Sequence, residues 1–455
     1  MSYRVYLPQD RTPTAMDRVL GRPGVIFGAL AVLAILPIVL LWLAWGVWGD
    51  AIRAFLSSQF WFSVLMMAIS LLIIIHLCAA CILAERKIAA FVQDRKGPNR
   101  VGFWGLLQPV ADGLKFILKE ESIPANVDKP IFLLAPGLAF AISLVTFAVI
   151  PWAGEIEWPW THPAGVHPRV TTQVASLDIG VLYILALGSL SVYGVVLAGW
   201  SSNNKYSFYG GMRATAQMLS YEVPLGLAIL IVLLTCGTLR LEVIVDQQAA
   251  SGVWNILLHP LACLLLLAAA FAETNRAPFD VVECEQELIG GYHTEYSAMK
   301  LGLFYLAEYA HMIVASALIA TLFFGGWAPL PVVSWLAGVD TWWAALIKFA
   351  VIWGKVGLFI GLYMLVRWTL PRFRFDQIMR LAWKGLVPMG MGLLAGAGVL
   401  VALGWERNVL ACLALNAIVL GLSLYVAVRS PRPITGRQED LPEVEVLPNQ
   451  ALTGR

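Results

Sequence analysis

The chain has 455 residues, 59% of them hydrophobic and only 13% charged, and its 31 Lys and Arg against 29 Asp and Glu leave a formal charge of +2. Soluble domains are about 45–50% apolar and about 25% charged, so a mean hydropathy of +0.75 points to a chain built for lipid. That balance leaves no strongly basic face for nucleic acid, and six cysteines without dense spacing form no disulfide framework.

Apolar runs of about 20 residues are long enough to cross about 30 Å of hydrocarbon as helices. Ten occur in chain order, at 25–48, 61–84, 130–152, 177–200, 214–238, 254–274, 303–325, 342–366, 386–404 and 409–429. They are continuous rather than alternating, which excludes a closed β-barrel. The fold expected is an all-α polytopic bundle over 25–429, with an N-terminal segment at 1–24 and a tail at 430–455 rich in Pro and acids. Arg18 and Arg22 precede the first run as in a signal peptide. That run exceeds a signal core of about 7–15 residues and no small-residue cleavage site follows, so it is expected to be retained.

With the N-terminus inside, 25 Lys and Arg fall on inner segments and four on outer loops (Arg53, Arg169, Arg240 and Arg407), with Lys348 and Lys355 inside a helix. This asymmetry places both termini in the cytoplasm. Trp42, Trp45, Trp61, Trp152, Trp200, Trp254, Trp342 and Trp405 sit near run ends, as an interfacial belt requires. The inner segment 85–129 carries Leu107, Val110, Leu114 and Ile117 at helical spacing, with Asp112, Lys115 and Lys119 opposite. That stripe fits an amphipathic helix at the membrane face or one packed on a partner.

Ionisable groups inside the bilayer cost about 2.5–3.5 kcal/mol each on insertion scales, so they mark function or tight pairing. Glu222 lies about eight residues, or about 12 Å, from the inner end of its run. Glu308 lies about five residues in, Glu273 is at an inner end, and Lys355 is near the midplane. A proton path needs such a series, whereas isolated pairs would only lock helices together. On the inner segment 275–302, Glu283, Glu285 and Glu287 crowd at every second position, near Asp280 and Glu295. Crowding retains a proton among them; metal binding and a solvated acidic loop are the alternatives, although no His or Cys set with zinc spacing accompanies them. Pro224 is expected to kink the helix beside Glu222 and free backbone carbonyls. Cys78 and Cys81 have redox spacing but lie in an apolar run, where small packing residues fit better. His311, three residues after Glu308, shares its face. Neither a dinucleotide motif, a P-loop nor a cysteine cluster for iron–sulfur is present.

Several stretches resemble one family. They are Ala84-Glu85-Arg86-Lys87 leading to Gln93-Asp94-Arg95-Lys96-Gly97-Pro98-Asn99-Arg100, Gly199–Tyr206, Ser220–Val223, Ala272–Asp280 running on to Gly291–Tyr296, and Arg367–Arg374 with Asp376-Gln377. The family is the quinone-chamber membrane subunit of respiratory complex I, the H-type subunit of the bacterial enzyme, and the resemblance covers about residues 60–404. It implies a core of eight helices, matching the second to ninth runs, that joins the membrane arm to the peripheral arm. It implies quinone (ubiquinone or menaquinone) as substrate, and FMN and iron–sulfur clusters on partner subunits. By position, Glu85, Arg86, Arg95, Lys96, Arg276 and Asp280 would line the quinone tunnel and its entrance. Glu222, Glu273, Glu283, Glu285, Glu287, Glu295 and Glu308 would form the acidic path toward the pumping subunits, with Lys355 added by the spacing argument. The partners implied are the peripheral quinone-site subunits and the small and antiporter-like membrane subunits, in a bacterial plasma membrane. No catalytic residue and no metal site is expected on this chain. Lys348 and the runs at 25–48 and 409–429 depart from the family pattern, and His311 stands where Asn is more familiar. An equivalent subunit of a membrane-bound hydrogenase or other-donor oxidoreductase shares these motifs. A stand-alone proton-coupled transporter would use the same Glu/Lys series but would be expected to carry inverted repeats.

Overall fold

The computed structural model describes residues 59–157, 169–280, 289–329, 339 and 341–429. The expected first run at 25–48, both terminal segments, and Glu283, Glu285 and Glu287 lie outside the described residues. Thirteen α-helices are described: α1 Gln59–Val92, α2 Gln108–Leu118, α3 Lys129–Thr146, α4 Gly180–Ser201, α5 Lys205–Cys236, α6 Leu241–Ser251, α7 Asn255–Leu258, α8 Pro260–Glu273, α9 Ala298–Phe323, α10 Trp342–Thr369, α11 Phe375–Arg380, α12 Val387–Ala402 and α13 Val409–Arg429. A π-helical turn at Leu381–Leu386 fuses α11 to α12. Among the described residues, eight helices are long and apolar enough to cross a membrane. The protein is therefore an all-α, multi-pass membrane bundle.

The centre is α9, where 78% of the apolar window is buried, and α13 is the periphery, with 11%. Around α9 the chain packs α3 on α4, α4 on α5, α5 on α8 and α9 on α3 and α10. Helices approach closely where glycine removes the side chain: a Cβ on Gly210 of α5 would lie 2.5 Å from the Cα of Gly291. That contact seats the 290–296 loop on the inner end of α5. At its other end α5 stops at Gly237, whose φ of 67° and N–H bond to the Leu233 carbonyl form a left-handed cap.

Several boundaries differ from the sequence expectation. α1 continues to Val92 because Glu85–Ala90 are helix formers and no breaker intervenes before Gly97-Pro98, so Glu85 and Arg86 sit on a helix and not in a loop. α5 begins at Lys205, N-capped by the Asn204 side chain. Glu222 is thus 17 residues, about 26 Å, from the N-terminal end of its helix rather than eight. Two short strands, Glu155–Glu157 and Arg169–Thr171, pair antiparallel with Ile156 opposite Val170, and α6 occupies the segment expected as an outer loop.

The expected span at 254–274 is broken into α7 and α8. His259 leaves the helical region at φ −131° and ψ 63°, and Pro260 opens α8 where its missing N–H is tolerated. A break inside lipid exposes peptide groups that must find partners within the protein. Asn416 of α13 supplies them: its Nδ2 donates to the Leu258 carbonyl at 3.0 Å, and its Oδ1 accepts from the Leu261 N–H at 3.2 Å. Asn416→Leu is expected to destabilise this corner by about 1–3 kcal/mol, the cost of leaving buried polar groups unsatisfied. Faster hydrogen exchange of the Leu261 amide with little change elsewhere would verify it.

Candidate functional site

Three charged clusters occupy the basic-loop end and interior of the bundle. The first is built on the turn after α8. Asn275, at φ 50°, takes the left-handed conformation that Asn tolerates. Gln217 of α5, fully buried, clamps the turn by donating to the carbonyls of Ala272 and Phe279, both at 2.8 Å. The turn projects Arg276 between two carboxylates, Glu85 of α1 at 3.5 Å and Glu308 of α9 at 3.6 Å. All three side chains are 12–13% exposed. Arg276 stacks over the Tyr309 ring at 4.2 Å, and the Tyr309 hydroxyl donates to Glu85. Glu85 also pairs with Arg367 of α10, while Tyr292 donates to Glu308 at 3.4 Å. Two carboxylates and two guanidinium groups thus form a formally neutral network.

Next to it, Asp280, 4% exposed, pairs with Arg372 at 2.6 Å. The Phe373 N–H bond to the Pro278 carbonyl holds the two loops together. Deeper in the bundle, Glu222 and Glu273 line one cavity of about 40 Å³ together with His311, Thr274 and an apolar wall that includes Leu266 and Val314. This volume holds a small number of waters. Ser189 of α4 donates to Glu222, and Gly188 gives Glu273 room, since a Cβ there would sit 3.1 Å from its Oε1.

Other expected site residues are placed apart. Arg86 pairs with Asp112 of α2 at 2.5 Å. Arg95 bonds Gln93 and, with Lys96, is exposed in the loop after α1. Glu295 accepts from Asn204 at 2.5 Å. The Lys355 ammonium donates to the carbonyls of Phe324, Gly326 and Ala328 at 2.6–2.8 Å. It therefore caps the far end of α9, where a cation complements the helix dipole.

Comparison with known proteins settles the family. A family model described as NADH dehydrogenase matches residues 64–397. The chain is 48% identical over 308 residues to an H-type subunit of NADH-quinone oxidoreductase from Cytophaga hutchinsonii, covering 68% of this chain and 87% of that one. It is 47% identical over 331 residues to the H-type NADH-quinone oxidoreductase chain of Leptospira biflexa, covering 71% and 91%. It is 46% identical over 328 residues to NADH-quinone oxidoreductase subunit 8 of Rhodothermus marinus, covering 70% and 90%. The chain belongs to the NADH dehydrogenase family.

The family match ends before α13, the helix that carries Asn416. Sequence reasoning does not select Arg367, Arg372, Tyr309 or Tyr292 as site residues. Arg367, Arg372 and Tyr292 are signalled only by lying in the motif stretches Arg367–Arg374 and Gly291–Tyr296, without a role for each, and Tyr309 carries no signal. The sequence marks His311 only as a neighbour of Glu308 on its face; its place on the Glu222–Glu273 cavity links the charged network to that cavity along α9.

The loop that closes this end contains His293, packed edge-on against Tyr292 and near Tyr305. Burial pushes its imidazole down to about 4 from 6.5 and the nearby Tyr296 phenol up to about 12. His293 is therefore neutral in the closed loop but protonates below 6.5 once the loop opens. Loop stability is complete above pH 6.5 and falls by up to about 1.4 kcal/mol per pH unit as pH drops from 6.5 toward 4. His293→Phe is expected to flatten this dependence, read as the pH slope of amide protection at Thr294 and Tyr296 after correction for intrinsic exchange.

Proposed function

We propose that the chain is the membrane subunit of a proton-translocating NADH:quinone oxidoreductase that forms the quinone tunnel and the first part of the acidic proton path. The observation that carries the reading is Arg276, held between Glu85 and Glu308, with α9 leading on from Glu308 through His311 to the Glu222–Glu273 cavity. Glu85, Arg86, Arg95, Lys96, Arg276 and Asp280 form the tunnel wall and mouth. Glu308, Glu273 and Glu222 carry protons inward, supplied through Glu283, Glu285, Glu287 and Glu295, and Lys355 belongs to the far end of the same route. Quinone, ubiquinone or menaquinone, is the substrate, while FMN and iron–sulfur clusters reside on the peripheral subunits.

Two-electron reduction of a quinone takes up two protons, so charge appears transiently at the tunnel. A carboxylate that loses part of its cation partner binds a proton more readily. A shift of Arg276 toward new negative charge would loosen its hold on Glu308, and His311 and cavity waters connect that carboxylate to Glu273 and Glu222. The chain sits in a bacterial plasma membrane with both termini cytoplasmic, docked to quinone-site subunits and to small and antiporter-like membrane subunits. The test is purification of a C-terminally tagged chain from native membranes in mild detergent. Flavin and iron–sulfur subunits with NADH-dependent reduction of a soluble quinone are expected. A hydrogenase or other donor module would replace the reaction, and a correctly inserted chain without partners would overturn the reading.

A further inference from the structure

A second polar cavity lies at the opposite end of the bundle from the basic loops and from the acid cluster. It has a volume of about 360 Å³ and is walled by the α3–α4 connection, α6, the turn after α9 and the first third of α10. Its ionisable lining comprises Glu155, Arg240, Glu242, Asp246 and Lys348. Arg240 is engaged by Asp178 at 3.2 Å and by Glu242 at 3.4 Å.

Gln173, 2% exposed, lines the cavity, and neither its amide oxygen nor its amide nitrogen has a hydrogen-bond partner. The second carboxylate oxygen of Glu242 and the indole N–H of Trp327, also on the wall, are buried without partners too. Buried polar atoms in folded proteins are nearly always satisfied by protein or ordered water. A cavity of this volume holds on the order of ten waters, and these four atoms point to water as its content. Among the described residues, three carboxylates against two cations on the wall disfavour a bulk anion. Lys348, 1% exposed and six residues (about 9 Å) inside the start of α10, stands at the cavity's inner wall, 4.8 Å from the Trp327 ring. A charge there would be costly in lipid, and the polar wall of the cavity lowers that cost.

We propose that this cavity is an aqueous vestibule through which Lys348 exchanges protons with the compartment opposite the basic loops. In the forward step the Lys348 ammonium gives an N–H proton to a vestibule water, leaving the neutral amine and a hydronium ion that escapes outward; the reverse step restores the ammonium. Seven residues deeper on the same face of α10, Lys355 caps α9 through the carbonyls of residues 324–328. The turn that carries Trp327 therefore touches both lysines.

The test uses the intact complex in sided membrane vesicles and the small, permanently cationic, impermeant reagent 2-(trimethylammonium)ethyl methanethiosulfonate, with the unsubstituted protein as background. Lys348→Cys is expected to be labelled from the vestibule side at least about tenfold faster than from the basic-loop side, because a thiol in dry apolar surroundings holds far less reactive thiolate. Adding Gln173→Leu, which replaces a polar wall by an apolar one, is expected to slow that labelling. Should Lys348→Cys fail to assemble, Val243→Cys probes the same wall with every charge retained. A thiol at either position that reacts only from the basic-loop side, or only after denaturation, overturns the vestibule. The exchange role is read separately: Lys348→Met should lower the protons moved per quinone reduced, and Lys348→Arg should restore part of the loss. An unchanged ratio in Lys348→Met overturns it. The labelling outcome does not depend on which electron donor the complex uses, so it stands or falls apart from the quinone reading.

Discussion

Arg276→Met is expected to lower quinone-dependent NADH oxidation at least about tenfold and to destabilise the assembled subunit by about 3–5 kcal/mol. The stability loss follows from charge. Glu85 keeps Arg367 and the Tyr309 hydroxyl when Arg276 is removed, whereas Glu308 loses the guanidinium that pairs with it at 3.6 Å. A nearly buried carboxylate without its cation costs about as much as breaking a buried ion pair. The activity loss requires only about 1.4 kcal/mol of lost positioning for each factor of ten.

The double substitution Arg276→Met with Glu308→Gln separates the two effects. It restores formal neutrality to the network, so stability should recover by about 1–3 kcal/mol relative to the single variant, a coupling of the size that residues in contact show. Activity should not recover, because the group proposed to sense charge at the quinone tunnel is still missing. Thermal inactivation in detergent and quinone reductase rates of the two variants decide the matter. Normal quinone reduction in Arg276→Met would remove Arg276 from the tunnel.

Which parts of this arrangement were legible in the sequence depends on how local their causes are. α1, α4, α10 and α13 follow continuous apolar runs, and their existence needed only length and hydropathy. The break at His259-Pro260 was written in the chain as a proline, yet what makes it tolerable in lipid is Asn416, more than 150 residues away. For Lys355 the sequence shows only its depth along α10. Its actual partners are carbonyls at the end of another helix, and carbonyls leave no mark in a sequence. Arg276 and Glu85 lie 191 residues apart; their motifs singled out both residues, but only the fold makes them neighbours. Arg367 lies in a quoted motif stretch but receives no role there, since a basic residue at a helix end ordinarily answers the topology bias alone.

The acid cavity gives the second large effect. Glu222→Gln and Glu273→Gln, each alone, are expected to reduce proton pumping about a hundredfold, the low end of what a positioned proton-transfer group contributes. Assembly should survive, because an amide keeps the shape of the carboxyl and its oxygen in Glu222→Gln can still accept the Ser189 hydrogen bond. The cavity is small, about 40 Å³, so waters alone cannot bypass a missing carboxyl by forming a wide channel. Its walls are mostly apolar, which leaves the two carboxyls, Thr146, Thr274 and His311 to hold whatever water enters. Gly188→Ala tests geometry rather than charge: its new methyl group would press on Glu273 at 3.1 Å, tighter than most real contacts. It should displace that side chain and produce a graded loss smaller than that of Glu273→Gln. Ser189→Ala should behave likewise at Glu222. Proteoliposome pumping measured against quinone reduction in the same preparations orders the four variants. If both Glu→Gln variants pump normally, the cavity is a packing defect with two buried acids and the proton route lies elsewhere. If they fail while Gly188→Ala and Ser189→Ala show intermediate rates, the two carboxyls act as carriers whose placement by α4 sets the rate.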